Sequence, residues 1–174
     1  MERDFHAERS GQKWVSDITY IPTQQGWLYL TIVMDLYDRK IIDWSLSTTM
    51  TTQATILAAW KMASRNRDVV SGLLFHSDRG VQYAASAFAN HLKRQGVLQS
   101  MSRKGNCWDN AVAESFFKIL KSELVRHVNY QSILQAKTDI FEFIEIWYNR
   151  KRKHAYLGNQ TPEQFGTSEY SKCA

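Results

Sequence analysis

The first part of the hydrophobic pattern predicts three consecutive strands. Residues 14–21 are rich in β-branched and aromatic side chains and end at Pro22. Residues 27–36 are almost entirely apolar, which is typical of a central strand that is buried on both faces. Residues 41–46 return after a polar turn, so we expect a hairpin.

The remaining pattern alternates between helix and strand. From residue 51 the apolar positions recur at spacings of three and four, which predicts a helix to residue 66 with Thr51 or Thr52 as its cap. A buried strand, a helix, a fifth strand and two helices are then expected over residues 73–78, 86–95, 97–101, 110–126 and 132–148. This order predicts an α/β fold with a five-stranded mixed sheet flanked by helices.

Length and composition favour one compact domain. The 174 residues are 44% apolar, which is enough for a full-sized core. We expect a polar lead-in over residues 1–12, a core over 13–165 that includes a basic segment near its end, and a tail over 166–174. Neither a membrane-spanning run nor an apolar signal segment is present in the sequence, so we expect a cytosolic protein without a membrane partner.

Charge and cysteine content narrow the function classes further. The net charge of +5 and pI near 9.2 favour a polyanionic partner, although solubility alone explains a mildly basic domain equally well. Cys107 and Cys173 are too few for a disulfide framework or a thiolate zinc site, and we expect both to be free thiols.

Two aspartates stand out because they interrupt apolar strands, where burial of a carboxylate is unfavourable. Asp17 lies in the middle of the first strand, either as part of a site or as a buried acid bonded to backbone amides or an arginine. Asp78 ends the fourth strand, where open sheets place chemistry, but an aspartate there also opens turns. Asp35 and Asp38 flank the hairpin turn, and for them the turn explanation is favoured.

A third acid has helical neighbours that place it beside these strands. Asn110, Glu114, Lys118 and Lys121 form a polar stripe along one helix, so Glu114 can face the edge of the sheet. A surface pair with Lys118 is the alternative. If the three carboxylates converge, their repulsion implies a bound cation, and hard oxygen ligands point to magnesium or manganese.

Several motifs occur in a fixed order along residues 13–165. They are WVSDITY at 14–20, HSDRGVQY at 76–83, GNCWDNA at 105–111 with ESFF at 114–117, and YNRKRKH at 148–154. Thirty-five residues separate Asp78 from Glu114, and Lys121 follows seven positions after Glu114. In these features the chain resembles the OrfB transposases of insertion sequences, whose core is similar to that of retroviral integrases.

The resemblance implies a ribonuclease-H-like fold and an enzyme, a DNA transposase. Asp17, Asp78 and Glu114 would be the catalytic acids and would hold two Mg²⁺ or Mn²⁺ ions, with Asp17 bridging them. The reaction would be cleavage at the 3′ end of the element followed by strand transfer, without a covalent protein intermediate.

Basic residues near these acids are candidates for DNA binding. Lys118 and Lys121 share a helix face with Glu114, and charge balance against that acid is the alternative. A second group of candidates is the basic run of Arg150, Lys151, Arg152 and Lys153. This run either binds the DNA backbone or is a solvated cluster of charges. His76 and Asn110 are expected as supporting residues, and for His76 a local structural hydrogen bond is favoured over a contact with Asp78 or DNA.

The resemblance also implies partners and a location. These are the DNA of the element ends and the target, a homo-oligomer on paired ends, and a bacterial cytoplasm with association to the nucleoid during the reaction. Only 16 residues precede Asp17, so the upstream helix-turn-helix region of such transposases is expected to be missing. A remnant that binds DNA or full-length transposase without catalysis, and a nuclease for RNA–DNA hybrids, are the alternatives.

Overall fold

The computed structural model describes residues 4–103 and 110–172, with side chains as far as residue 168. Its five strands form one mixed sheet in the order β3-β2-β1-β4-β5, in which β1, β2 and β3 are antiparallel and β4 and β5 run parallel to β1. The strands are β1 Lys13–Thr23, β2 Gly26–Asp35, β3 Ile41–Ser47, β4 Leu74–Ser77 and β5 Leu98–Met101. The predicted five-stranded mixed sheet is confirmed.

Five α-helices accompany the sheet. They are α1 Ile56–Asn66, α2 Ser86–Arg94, α3 Ala111–Glu123, α4 Ile133–Phe141 and α5 Pro162–Lys172. Short 3₁₀ segments follow α3 and precede α5, at Val125–His127 and Ala155–Leu157. The helix α4 continues as a π-helix over Glu142–Tyr148, so the prediction of one helix to residue 148 is correct in length but not in hydrogen-bonding pattern.

Two apolar clusters, one on each face of the sheet, form the core. Alternation along β2 supplies both, since Leu30 and Ile32 belong to the cluster with α3, α4 and the π-helix, whereas Val33 belongs to the cluster with α1 and α2. All three side chains are buried. The expectation that this strand is covered on both faces is therefore confirmed.

Most boundaries differ from the predictions by a few residues, and three of the differences affect how the chain is described. The strand β1 continues through Pro22, which is tolerated because β4 pairs only with residues 13–15 and leaves that edge of β1 free. The helix α1 begins at Ile56, because the Thr51 hydroxyl accepts from the Ala54 N–H and caps a preceding turn instead. The helix α5 covers part of the expected tail.

The lead-in has no helix or strand over residues 4–12 but contacts the core. Ala7 is buried in the cluster beneath α3, and the Gly11 N–H donates to Asp35 Oδ2 at 2.8 Å. Among the described residues, no helix has the length and apolar character needed to cross a lipid bilayer. Cys107, Cys173 and Trp108 lie outside the described residues.

Candidate active site

Asp17 and Asp78 are carried by adjacent parallel strands. The register of β1 with β4 pairs Trp14 with Phe75 and Val15 with His76. Continuing that register by two residues places Asp17 level with Asp78, which directly follows β4. Asp17 thus lies in the middle of β1, which continues to Thr23, whereas Asp78 lies just beyond the end of β4.

The surroundings of Asp17 raise the pKa of its carboxyl group. Burial raises the pKa of Asp17 to about 7; the hydrogen bond from the Ile18 N–H at 2.8 Å opposes this rise, whereas the charges of Asp78 and Glu114 add to it. Lys121 lowers the pKa of Asp17 slightly. Within the described chain, no arginine or lysine forms an ion pair with Asp17, but the bond from the Ile18 N–H is a backbone contact of the kind that the structural alternative expects, so both interpretations of Asp17 stay predictions.

Asp78 occupies a tight turn at the exposed end of β4. Its Oδ1 accepts from the Gly80 N–H at 2.9 Å, so the turn interpretation also applies. A Cβ at position 80 would lie 3.0 Å from that oxygen and 3.4 Å from Gln82 Oε1. Glycine therefore permits the close approach of the chain to the carboxylate.

The helix α3 brings Glu114 towards the two strands. Asn110 precedes the helix, is buried, and its Nδ2 donates to the Ser16 carbonyl on β1 at 3.3 Å. Glu114 lies one turn further along and is exposed, and burial by its surroundings raises its pKa. The alternative surface pair is absent, because Glu114 and Lys118, both described, form no ion pair within 4 Å.

The charges of Asp78 and Glu114 both act on Asp17, but the three acids do not form a preassembled metal site. Among residues 4–103 and 110–172, no three histidine, cysteine, aspartate or glutamate side chains are close enough to share a metal ion. The donor set nevertheless fits a hard divalent cation, since all three are carboxylates and at Asp17 their repulsion exceeds the compensation by Lys121.

The supporting residues are structural. His76 is buried, and its Nδ1 lies 2.9 Å from Ser100 Oγ, with Ser102 Oγ 3.4 Å from its Nε2. The favoured structural interpretation of His76 thus agrees with the contacts. Tyr83, also buried, shares a 2.7 Å hydrogen bond with Ser16 Oγ; burial, followed by the charge of Asp17, raises its pKa well above 10.

Two protein-family models match the sequence of the chain. A model described as integrase core domain matches residues 7–107, and a second model with the same description matches residues 114–169. The chain belongs to the integrase core family. The expected family resemblance is therefore confirmed over most of the sequence.

Curated relatives of this integrase core include proteins of bacterial insertion elements. The chain is 43% identical over 165 residues to the transposase InsF for insertion sequence IS3A of Escherichia coli, covering 95% of this chain and 57% of the relative. It is 42% identical to the insertion element IS600 uncharacterized 31 kDa protein of Shigella sonnei, with 95% and 60% covered. The chain thus spans less than two thirds of the length of these relatives.

A solved integrase structure confirms the fold. The integrase core superposes on the HTLV-2 integrase catalytic core domain in complex with magnesium, in its trimeric form, with a TM-score of 0.67 and 14% identity. The match covers 92% of this chain and 99% of that one. At this identity the likeness establishes the fold alone, and the predicted ribonuclease-H-like architecture is confirmed.

The candidate DNA-binding lysines and arginines of the integrase core differ in solvent exposure and in their contacts within the protein. Lys118, Lys151 and Lys153 are exposed, and Lys121 is partly buried. Arg150 Nε lies 3.3 Å from Glu163 Oε2, and Arg152 lies over the Trp147 ring at 5.6 Å, so both have partners within the protein. In the predicted basic run, Lys151, Lys153 and Arg150 are therefore exposed, and Arg152 is partly buried against Trp147.

Two features of the integrase core were not predicted. Tyr20 and Trp27 form an exposed aromatic pair beside Lys121, which only the β1–β2 register could have indicated. Arg67 forms two ion pairs with the hairpin acids Asp35 and Asp38. The pattern of apolar and polar positions contains no signal for that pairing, because the partners are about 30 residues apart in sequence.

Proposed function

We propose that this integrase core is the catalytic domain of a DDE transposase that cleaves the 3′ end of element DNA and transfers the strand to a second DNA. The observation that carries the proposal is that Asp17 lies level with Asp78 on the neighbouring strand, with the helix of Glu114 held against β1, in a chain of the integrase core family. The 43% identity to a protein named as a transposase supports it.

Asp17, Asp78 and Glu114 would hold two Mg²⁺ or Mn²⁺ ions, which when bound supply an activated oxygen nucleophile and stabilise the leaving 3′ oxygen. Asp17 must release its proton for binding, because its pKa lies near 7. Asn110 positions the start of α3 against β1. Lys118 and Lys121 would contact phosphates, together with Lys151, Lys153, Arg150 and Arg152 at the basic segment.

The partners follow from this reaction. We propose that the chain acts on element ends and target DNA as a homo-oligomer in a bacterial cytoplasm, associated with the nucleoid during the reaction, and that recognition of the ends requires an upstream helix-turn-helix region. The catalytic core would span residues 13–165, with the lead-in and tail on either side. A DNA-binding remnant without catalysis remains the alternative function.

Asp78→Asn and Glu114→Gln test the proposal. Incubated with end-containing DNA and Mg²⁺ or Mn²⁺, the unmodified chain should nick and join DNA, and each variant should lower the rate about a thousandfold or more. Asp68→Asn, which neutralises an exposed acid elsewhere, should leave the rate unchanged.

Three other outcomes have defined meanings. DNA binding without nicking by the unmodified chain would favour the remnant. Cleavage only of RNA in RNA–DNA hybrids would indicate a nuclease. Equal rates for the unmodified chain and Asp78→Asn would show that the proposed acids are not catalytic.

A further inference from the structure

Tyr20 and Trp27 form an exposed aromatic pair at the end of the β1–β2 hairpin. The two side chains are 57% and 52% exposed, and their ring centroids are 5.2 Å apart at an interplanar angle of 88°. Large aromatic rings normally bury most of their area, so two adjacent half-exposed rings mark a surface that is suited to a ligand. We call Tyr20 and Trp27 the aromatic platform.

The β1–β2 register explains how the platform forms. Tyr20 is paired with Tyr29 and Pro22 with Trp27, so Tyr20 and Trp27 are diagonal neighbours on one face of the hairpin. Antiparallel pairing fixes their separation, because a shift by one residue would move one ring to the opposite face. The platform is therefore held by the backbone and needs no ligand to assemble.

A cation, the ammonium group of Lys121, adjoins the platform. Lys121 Nζ lies 5.3 Å from the centroid of the Tyr20 ring. Tyr20 follows Asp17 by three residues on β1, and Lys121 follows Glu114 by seven on α3. The ammonium group lies over the Tyr20 ring, and the half-exposed Trp27 ring stands perpendicular to that ring. A cation beside exposed aromatic surface suits a nucleotide with its phosphate and its base.

We propose that the aromatic platform is a stacking subsite for an unpaired base of DNA, with Lys121 contacting the phosphate of that nucleotide. The proposal rests on the proposed function and adds a preference for frayed DNA ends. The base must be unpaired because, inside a duplex, both of its faces are covered by neighbouring base pairs. A ring on a sheet surface can stack only on a base that has left the helix.

The test uses DNA that carries 2-aminopurine as the terminal unpaired nucleotide, without divalent metal so that no reaction intervenes. The unmodified chain should quench the probe and bind the frayed end more tightly than a blunt one. Tyr20→Ala and Trp27→Ala should abolish the quenching and weaken binding to the frayed end about five- to hundredfold. Blunt duplex affinity should change little.

Matched variants distinguish stacking from a structural effect. Phe141→Ala is the control, because Phe141 is 51% exposed and also forms a T-shaped pair with a tryptophan, Trp44, but lies on α4. It should quench like the unmodified chain. Tyr20→Phe keeps the ring and should keep the quenching, and thermal melting of each variant verifies that it is folded.

Several results would overturn the proposal. These are the absence of quenching with the unmodified chain, equal quenching after Tyr20→Ala, or a loss of self-association in the platform variants with unchanged binding to frayed ends. The last result would assign the platform to a second copy of the chain. Failure of the proposed function would be separate, since it is measured by Asp78→Asn in the presence of metal, whereas stacking is measured without metal.

Discussion

At the scale of single residues, the carboxyl group of Asp17 should affect both the stability of the fold and the proposed binding of metal. Its strand position buries it in part, its only described hydrogen bond comes from the Ile18 N–H, and two neighbouring acids oppose its ionisation. A carboxyl group with a pKa near 7 is about half protonated at neutral pH when no cation is present, and it is anionic when a cation binds. The folded chain without metal therefore carries a destabilising charge only above the pKa of Asp17.

The pH dependence of stability should reveal this group. Because its pKa rises from 3.8 to about 7 on folding, the folded state binds the proton more tightly, and the stabilisation is complete below pH about 4 and is lost as the pH rises through about 7. Asp17→Asn removes this titration. In metal-free urea unfolding at pH 8, we expect the variant to be more stable by up to roughly 4 kcal/mol, with little difference at pH 4.

Asp43→Asn is the control for Asp17→Asn, because it removes a second aspartate with a raised pKa. Burial raises the pKa of Asp43 to about 6, and this residue contacts Asn66 at the end of α1. Mg²⁺ should raise the melting temperature of the unmodified chain and of Asp43→Asn, but not that of Asp17→Asn. A pH profile for Asp17→Asn that parallels the unmodified chain would show that Asp17 titrates normally in the folded protein.

At the scale of secondary-structure elements, Arg67 joins the end of α1 to the hairpin between β2 and β3. Its Nη1 lies 2.7 Å from Asp35 Oδ2 and its Nη2 lies 2.7 Å from Asp38 Oδ2, and all three side chains are almost fully buried. Burial alone would lower the pKa of Arg67. The ion pairs with Asp38 and Asp35 together raise the pKa by more than burial lowers it, so the pKa of Arg67 lies above its usual value. This network fixes the helix covering one face of the sheet.

Arg67→Met should therefore destabilise the chain strongly. Loss of the guanidinium leaves two buried carboxylates without a cation, and removal of one partner of a buried pair typically costs about 3–5 kcal/mol. Arg65→Met, on an exposed arginine of the same helix, should change the free energy of unfolding by less than about 0.5 kcal/mol. Chemical denaturation measures both, and similar values for the two variants would contradict a stabilising role for the network.

Sequence patterns predicted the elements better than their contacts. β-branched and apolar runs located all five strands, because strand burial depends on local alternation. The helix α5 was missed because its sequence, PEQFGTSEYSK, has little apolar periodicity and is held by tertiary contacts such as Tyr37 with Phe165. Asp17 was identifiable as an acid within an apolar strand, whereas the partners of Arg67 and the platform of Tyr20 and Trp27 depend on distant residues meeting.

At the scale of the whole molecule, positive charge is concentrated in one segment of the chain, residues 48–103. Residues 48–103 contain seven lysines and arginines but only two acids, so this segment accounts for the entire net charge of +5. Its exposed cations on α1 and α2, Lys61, Arg65, Lys93 and Arg94, form no ion pair with any described residue. The two helices cover the same face of the sheet, so their charges act on a polyanion together.

The salt dependence of DNA binding tests whether this distribution matters. The double variant Lys93→Glu with Arg94→Glu should weaken binding to duplex DNA and reduce the slope of log affinity against log salt by about 2, because each phosphate contact releases about one counterion. Arg126→Glu with Lys137→Glu makes the same change in net charge at exposed positions outside the segment. If net charge alone determined binding, both double variants would shift the slope equally; a larger effect at α2 would locate the DNA on the α1–α2 face.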